Sequence, residues 1–173
     1  MAYLRDLKRR AEEAGGDAAS DDGAARNFLR VYWEHPERDD EQYVVERSDL
    51  GMILLNRYPY SNGHLLVALG DPRPSLLDYE PEARAAFWRL VDRAAELMHL
   101  TINPQGINIG VNQGDAAGAG VPEHLHAHLV PRWSGDTNFI STVAQVRVIP
   151  DALDAMFGDY RKTVQGLNPT QEI

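Results

Sequence analysis

Between Glu123 and Phe139 the chain reads EHLHAHLVPRWSGDTNF, and three of its six histidines, His124, His126 and His128, stand there at every second position. On an extended strand, side chains at i, i+2 and i+4 share a face. The spacing therefore predicts three imidazoles along roughly 13 Å of one surface, with Leu125, Ala127 and Leu129 turned to a core. Several titratable rings held together are a setting for proton or group transfer. Three chemistries fit them. Histidines two apart on a strand can ligate zinc, and a third can complete the site, although Glu123 should point away and supply no carboxylate. Alternatively, one neutral imidazole attacks phosphorus, a second group hydrogen-bonds it, and a third assists the phosphate or leaving group. The same donors could also bind a ligand without turnover. The preceding loop, Gly114 to Gly120 (GDAAGAG), favours a phosphate ligand, because glycine lets backbone N–H groups approach phosphate oxygens closely. Arg132, in the Pro-Arg-Trp that follows the histidines, is a further candidate, since a guanidinium pairs well with phosphate.

The elements that must position these residues are legible from periodicity. Gln42 to Glu46 and Met52 to Asn56 are short β-prone runs joined by RSDLG, a hairpin pattern, and Gly63 to Leu69 (GHLLVAL) reads as another strand. Pro81 opens a helix to about Leu100, in which Phe87, Leu90, Val91, Ala94, Leu97 and Met98 recur at helical spacing. Asn103-Pro104 stops it, and Ile107, Ile109 and Val111 alternate as a strand before the glycine-rich loop. Gln145 to Ile149 is a candidate late strand, and Pro150 introduces a last helix to about Val164. Strands in groups around one dominant helix predict an α+β domain with a mainly antiparallel sheet, one long helix and a C-terminal helix. Residues 1–25 read as an appendage: a charged segment, Tyr3 to Ala14, with helical character, then an acidic turn-rich linker, Gly15 to Ala25. Residues 26–173 read as the catalytic domain.

Composition narrows the functions. A chain of 173 residues with 43% apolar and 25% charged side chains is long enough to bury a core as one domain. A net charge of −9 argues against a broad surface for DNA or RNA, while a small anionic substrate needs only a few local donors. The absence of cysteine removes disulfides, thiol nucleophiles and thiolate metal sites. No apolar run is long enough for a bilayer, and the charged N-terminus lacks the apolar stretch of a secretory signal, so a cytoplasmic protein is expected.

HLHAHLV, together with Asn56-Arg57-Tyr58-Pro59, Gly63 to Val67, Gly110 to Gly114 and PRWSGDTNF, resembles the histidine triad (HIT) family. The Pro-Arg-Trp segment resembles a largely prokaryotic branch of diadenosine polyphosphate hydrolases and phosphorylases. The resemblance spans about Asn27 to Ile149. It implies a HIT-like fold in which His126 is the nucleophile and forms a transient nucleotidyl-histidine. The main-chain carbonyl of His124 accepts a hydrogen bond from the nucleophile's other ring nitrogen, His128 contacts phosphate, and His64 supports the cluster from a neighbouring strand. Asn56 matches the ribose-binding position. Asn112 matches a polar position near the scissile phosphate, with Gln113 as its substitute should the loop register shift. Gly118, Ala119 and Gly120 carry no hydroxyl, so donation to phosphate there falls to the backbone.

Many prokaryotic relatives hold a structural zinc through a Cys-x-x-Cys pair, a further histidine and the first triad histidine. With no cysteine, and with GDPRPSLLDYE after Leu69, that site is expected to be lost here. No obligatory cofactor is implied, magnesium entering only with the nucleotide. The implied activity is hydrolysis or transfer at the α-phosphate of a dinucleoside polyphosphate such as diadenosine tetraphosphate. A phosphoramidase and a non-catalytic nucleotide-binding module are the alternatives. Relatives are typically homodimers, and the same is expected here.

Overall fold

The computed structural model describes residues 27–136 and 153–167. A short helix, α1 (Phe28–Glu34), is followed by a 3-10 turn, a single helical turn α2 (Asp39–Gln42), and the hairpin β1 (Val44–Arg47) and β2 (Gly51–Leu55). Then come β3 (Leu65–Leu69), the long helix α3 (Pro81–Ile102), β4 (Gly106–Val111), β5 (His126–Arg132) and α4 (Leu153–Leu167). The strands form one antiparallel sheet in the order β1-β2-β3-β5-β4, so the fold is α+β, as the sequence pattern predicts.

The sheet has two differently used faces, and strand alternation assigns each residue to one. Ile53, Leu55, Leu65, Val67, Leu69, Ala127 and Leu129 face a core closed by Phe87, Val91, Ala94, Leu97 and Met98 of α3 and Met156 and Tyr160 of α4. The apolar stripe of α3 is the one its 3.6-residue period predicts. On the other face Val44, Met52, Leu54, Leu66 and Ala68 meet Leu29 of α1, with Phe28, Tyr32 and Trp33 packed around them. His126 and His128 share this second face, directly across from Ala68 and Leu66.

Pro81 stands at the start of α3, where its missing N–H costs nothing, and Asn103 ends the helix in the left-handed conformation, its N–H bonded to His99 O. Close approach also demands glycine at position 70, since a Cβ there would lie 2.1 Å from the Trp33 ring. None of the described helices is long and apolar enough to cross a membrane. The expected N-terminal appendage and the late strand at Gln145 to Ile149 lie outside the described residues.

Candidate active site

Ladder pairing aligns the imidazoles. β5 begins at His126, and His126 and His128 project from it with ring centroids 4.9 Å apart. His64 immediately precedes β3, the neighbouring strand, and its ring lies 5.2 Å from that of His128. The third ring of the cluster is therefore His64, and the expected row of three triad rings is corrected. His124 precedes the strand, and its fully buried ring turns to Asn27 and Leu69.

Fixed backbone donors and acceptors dictate where the protons sit. Tyr60 N–H donates to His64 Nδ1 (3.1 Å), so the His64 proton must be on Nε2. From Nε2 it is donated to His128 Nδ1 (3.1 Å), which leaves the His128 proton on Nε2, at the far edge of the ring. His126 Nδ1–H donates to His124 O (2.9 Å), so its Nε2 carries a bare lone pair. Burial lowers the pKa of His126, and the bond to the carbonyl only partly opposes this. Burial, reinforced by repulsion from His126, pushes His128 down to about 4. His126 and His128 are thus neutral near pH 7, with one unprotonated nitrogen and one N–H available to a ligand.

Beside it opens a cavity of about 270 Å³, lined by Phe28, Tyr32, Leu54, Leu55, Asn56, Arg57, Tyr58 and Leu66. Leu66 pairs directly with His128, so the cavity and the imidazoles share one sheet face. The walls are apolar and aromatic, the lining that a planar base and a sugar need. Asn56 sits at the rim, its Oδ1 accepting from Tyr58 N (3.0 Å) and its Nδ2 donating to His64 Nδ1 (3.2 Å). Arg57 is held between the Tyr32 and Tyr43 rings, its guanidinium 5.9 and 5.2 Å from their centroids, and bonds Glu41 O.

The remaining sequence-predicted residues divide. Gly110 lies across from His128 and leaves space beside that ring, and the same register carried one residue further sets Asn112 beside His126. Asn112 Nδ2 reaches Gly118 O at 3.5 Å, which ties it to the glycine-rich loop. Gly118 takes φ +80° at the end of the loop's 3-10 turn (Asp115–Ala117); its N–H bonds Asp115 O and that of Ala119 bonds Gly114 O, so the expectation that these two donate to phosphate is corrected. Gln113 is turned elsewhere: its Oε1 accepts from Ser75 Oγ (3.0 Å) and Leu76 N (2.9 Å), fastening the loop after β3. Arg132 is not brought to the cluster. Six residues along an extended strand separate it from His126 by roughly 20 Å, and its guanidinium holds Asp136 (2.5 Å) and Asn108 (2.8 Å).

Four contributors carry no such motif in the sequence. Phe28 and Tyr32 come from α1 and Asn27 caps it, and its seven residues are too few for a convincing periodic pattern. Its only local mark is an N-capping Asn followed by aromatics four apart. Tyr60 stacks at 18° and 5.9 Å on His128, a contact that arises only when the turn before β3 folds back over β5.

Comparison with known proteins places this geometry. The HIT domain family matches residues 37–135. An "AP-4-A phosphorylase" of Mycobacterium tuberculosis is 36% identical over 134 residues, covering 77% of this chain and 69% of that one. A "Bis(5'-nucleosyl)-tetraphosphatase [asymmetrical]" of Schizosaccharomyces pombe is 30% identical over 93 residues, covering 54% of this chain and 50% of that one. Among solved structures, a zinc-bound histidine triad family protein from Mycobacterium smegmatis superposes with a TM-score of 0.64 at 26% identity, covering 82% of this chain and 96% of that one. Because the matched stretch takes in all five strands and every ring of the imidazole cluster, the chain belongs to the HIT family.

Proposed function

We propose that the protein is a nucleotidyl hydrolase or phosphorylase acting at the α-phosphate of dinucleoside polyphosphates such as diadenosine tetraphosphate. The observation that carries this reading is the bare Nε2 of His126, its tautomer fixed by His124 O, beside a cavity of about 270 Å³. One nucleoside occupies the cavity, with Asn56 at its ribose. His126 Nε2 attacks the α-phosphorus, an N–P bond forms, and the bond to the bridging oxygen breaks. His128 Nε2–H donates to the phosphoryl group as the remaining nucleotide departs. Water or inorganic phosphate then displaces His126 and releases a mono- or diphosphate. The N–H of Gly120, with Asn112, stabilises the charge on the phosphoryl oxygens. The names of the relatives, a phosphorylase and a tetraphosphatase, support this substrate class.

The chemistry proceeds without a resident metal in this proposal. The zinc that the resemblance associates with the first triad histidine does not fit these residues, because both His124 ring nitrogens are engaged by oxygens and the chain has no cysteine. A homodimer is part of the same reading. Among the described residues β4 is an edge strand whose sequence, GINIGV, carries no charged side chain, and its Ile109 is exposed, so a second copy can pair along it.

The test is incubation with diadenosine tetraphosphate, with and without phosphate, followed by ion-exchange chromatography. ADP plus ATP formed only with phosphate identifies a phosphorylase, and AMP plus ATP formed in its absence identifies a hydrolase. Nucleotide binding without turnover, or turnover of a nucleoside phosphoramidate alone, overturns the proposal.

A further inference from the structure

Asn27 stands at a junction between the nucleoside cavity and the nucleophile. The residue is 6% exposed, and its Oδ1 accepts from Arg30 N (3.0 Å), which caps α1, and lies 2.9 Å from His124 Nδ1. The other nitrogen of His124 meets Leu69 O at 2.6 Å. His124 lies outside the β5 ladder, and its carbonyl belongs to a peptide whose N–H, on Leu125, donates to Arg73 O (2.7 Å). Its ring meets an oxygen at each edge. The carbonyl of that same residue receives the Nδ1 proton of His126, so the ring contacts and the Leu125–Arg73 bond together position the tautomer-fixing acceptor. On its other side Asn27 begins the helix that carries Phe28 and Tyr32 into the cavity wall.

We propose that Asn27 is a positioning residue that couples nucleoside binding to nucleophile orientation. Its cap holds the aromatic wall in place, and its contact with the His124 ring adds to the hold on the carbonyl that keeps His126 in the Nδ1–H tautomer. The catalytic part of this inference rests on the proposed nucleotidyl chemistry, whereas the structural part can be read without any turnover.

Three substitutions separate the two contacts. Asn27→Asp keeps both, Asn27→Ser keeps a helix cap but is too short to reach His124, and Asn27→Ala removes both. In ¹⁵N NMR of the imidazoles without substrate, the wild type and N27D should show His126 as the single Nδ1–H tautomer. N27S and N27A should show a tautomer mixture. With diadenosine tetraphosphate, N27S should lose roughly tenfold in kcat with little change in KM, as expected for a misplaced reacting group. N27A should lose kcat and raise KM as well, and N27D should recover most of kcat. If N27S and N27A keep the pure His126 tautomer, the coupling is wrong whatever the enzyme's substrate. If the tautomers shift as expected while wild type shows no turnover, the positioning holds and the proposed reaction fails. A loss of thermal stability in N27A with tautomer, kcat and KM unchanged makes Asn27 merely structural and overturns the inference.

Discussion

At His126 burial and hydrogen bonding pull in opposite directions, and burial wins, leaving a pKa below the ordinary 6.5 of histidine. A reaction that needs this ring neutral should therefore keep its rate below the pH at which a solvent-exposed histidine protonates. The acid limb of kcat/KM is expected below pH 6.5, and a limb at or above that value would exclude His126 as the group that must be neutral. The same burial has a stability consequence at His128, whose pKa falls to about 4. Below pH 6.5 the unfolded chain takes up a proton that the folded ring refuses, so this contribution is complete above 6.5 and is lost progressively as the pH falls towards 4. Urea unfolding across that window should show a falling midpoint, and His128→Gln should flatten the fall. His126→Ala should abolish turnover while calorimetry still finds nucleotide binding, because the cavity walls come from other residues. Normal turnover in that variant would remove the nucleotidyl-histidine.

Among the elements, the helix α4 reaches the site through a buried hydroxyl. Tyr160 is fully buried, and its OH donates to Gly63 O at 2.9 Å. Gly63 holds φ +84°, a conformation that a side chain would strain, and so turns the chain directly into His64. His64 in turn fixes the proton on His128. Tyr160→Phe leaves a buried carbonyl short of a donor, which costs roughly 1–2 kcal/mol of stability, and it frees the turn that aims His64. The expected result is a lower unfolding midpoint together with a several-fold loss of kcat. A variant that loses stability but keeps wild-type kcat would confine α4 to packing.

Across the whole molecule the sheet is covered on one face by α3 and α4 and on part of the other by α1, and its β4 edge carries no covering element among the described residues. A second copy pairing along β4 would satisfy the free edge and cover Ile109, which is 48% exposed. Ile109→Lys puts a charge on that edge and is expected to convert a dimer to a monomer in sedimentation velocity. A wild-type monomer at micromolar concentration would end the proposal of an assembly along this edge.

Much of this organisation was written in local pattern. The period of two from Leu125 to Leu129 placed Ala127 and Leu129 in the core and His126 and His128 opposite them, and the 3.6-residue stripe of α3 named its buried face. Charge and apolar spacing act between near neighbours in the chain, so the sequence alone determines them. Tertiary structure decided which imidazoles meet. Strand order brought His64 beside His128, and the start of β5 at His126 left His124 to Asn27, 97 residues away in the chain. It also turned Gln113 towards Ser75 and carried Arg132 to the far end of β5. Those outcomes depend on where strands begin and which loops pack together, and pairing across long stretches of chain leaves no periodic trace in the residues that take part.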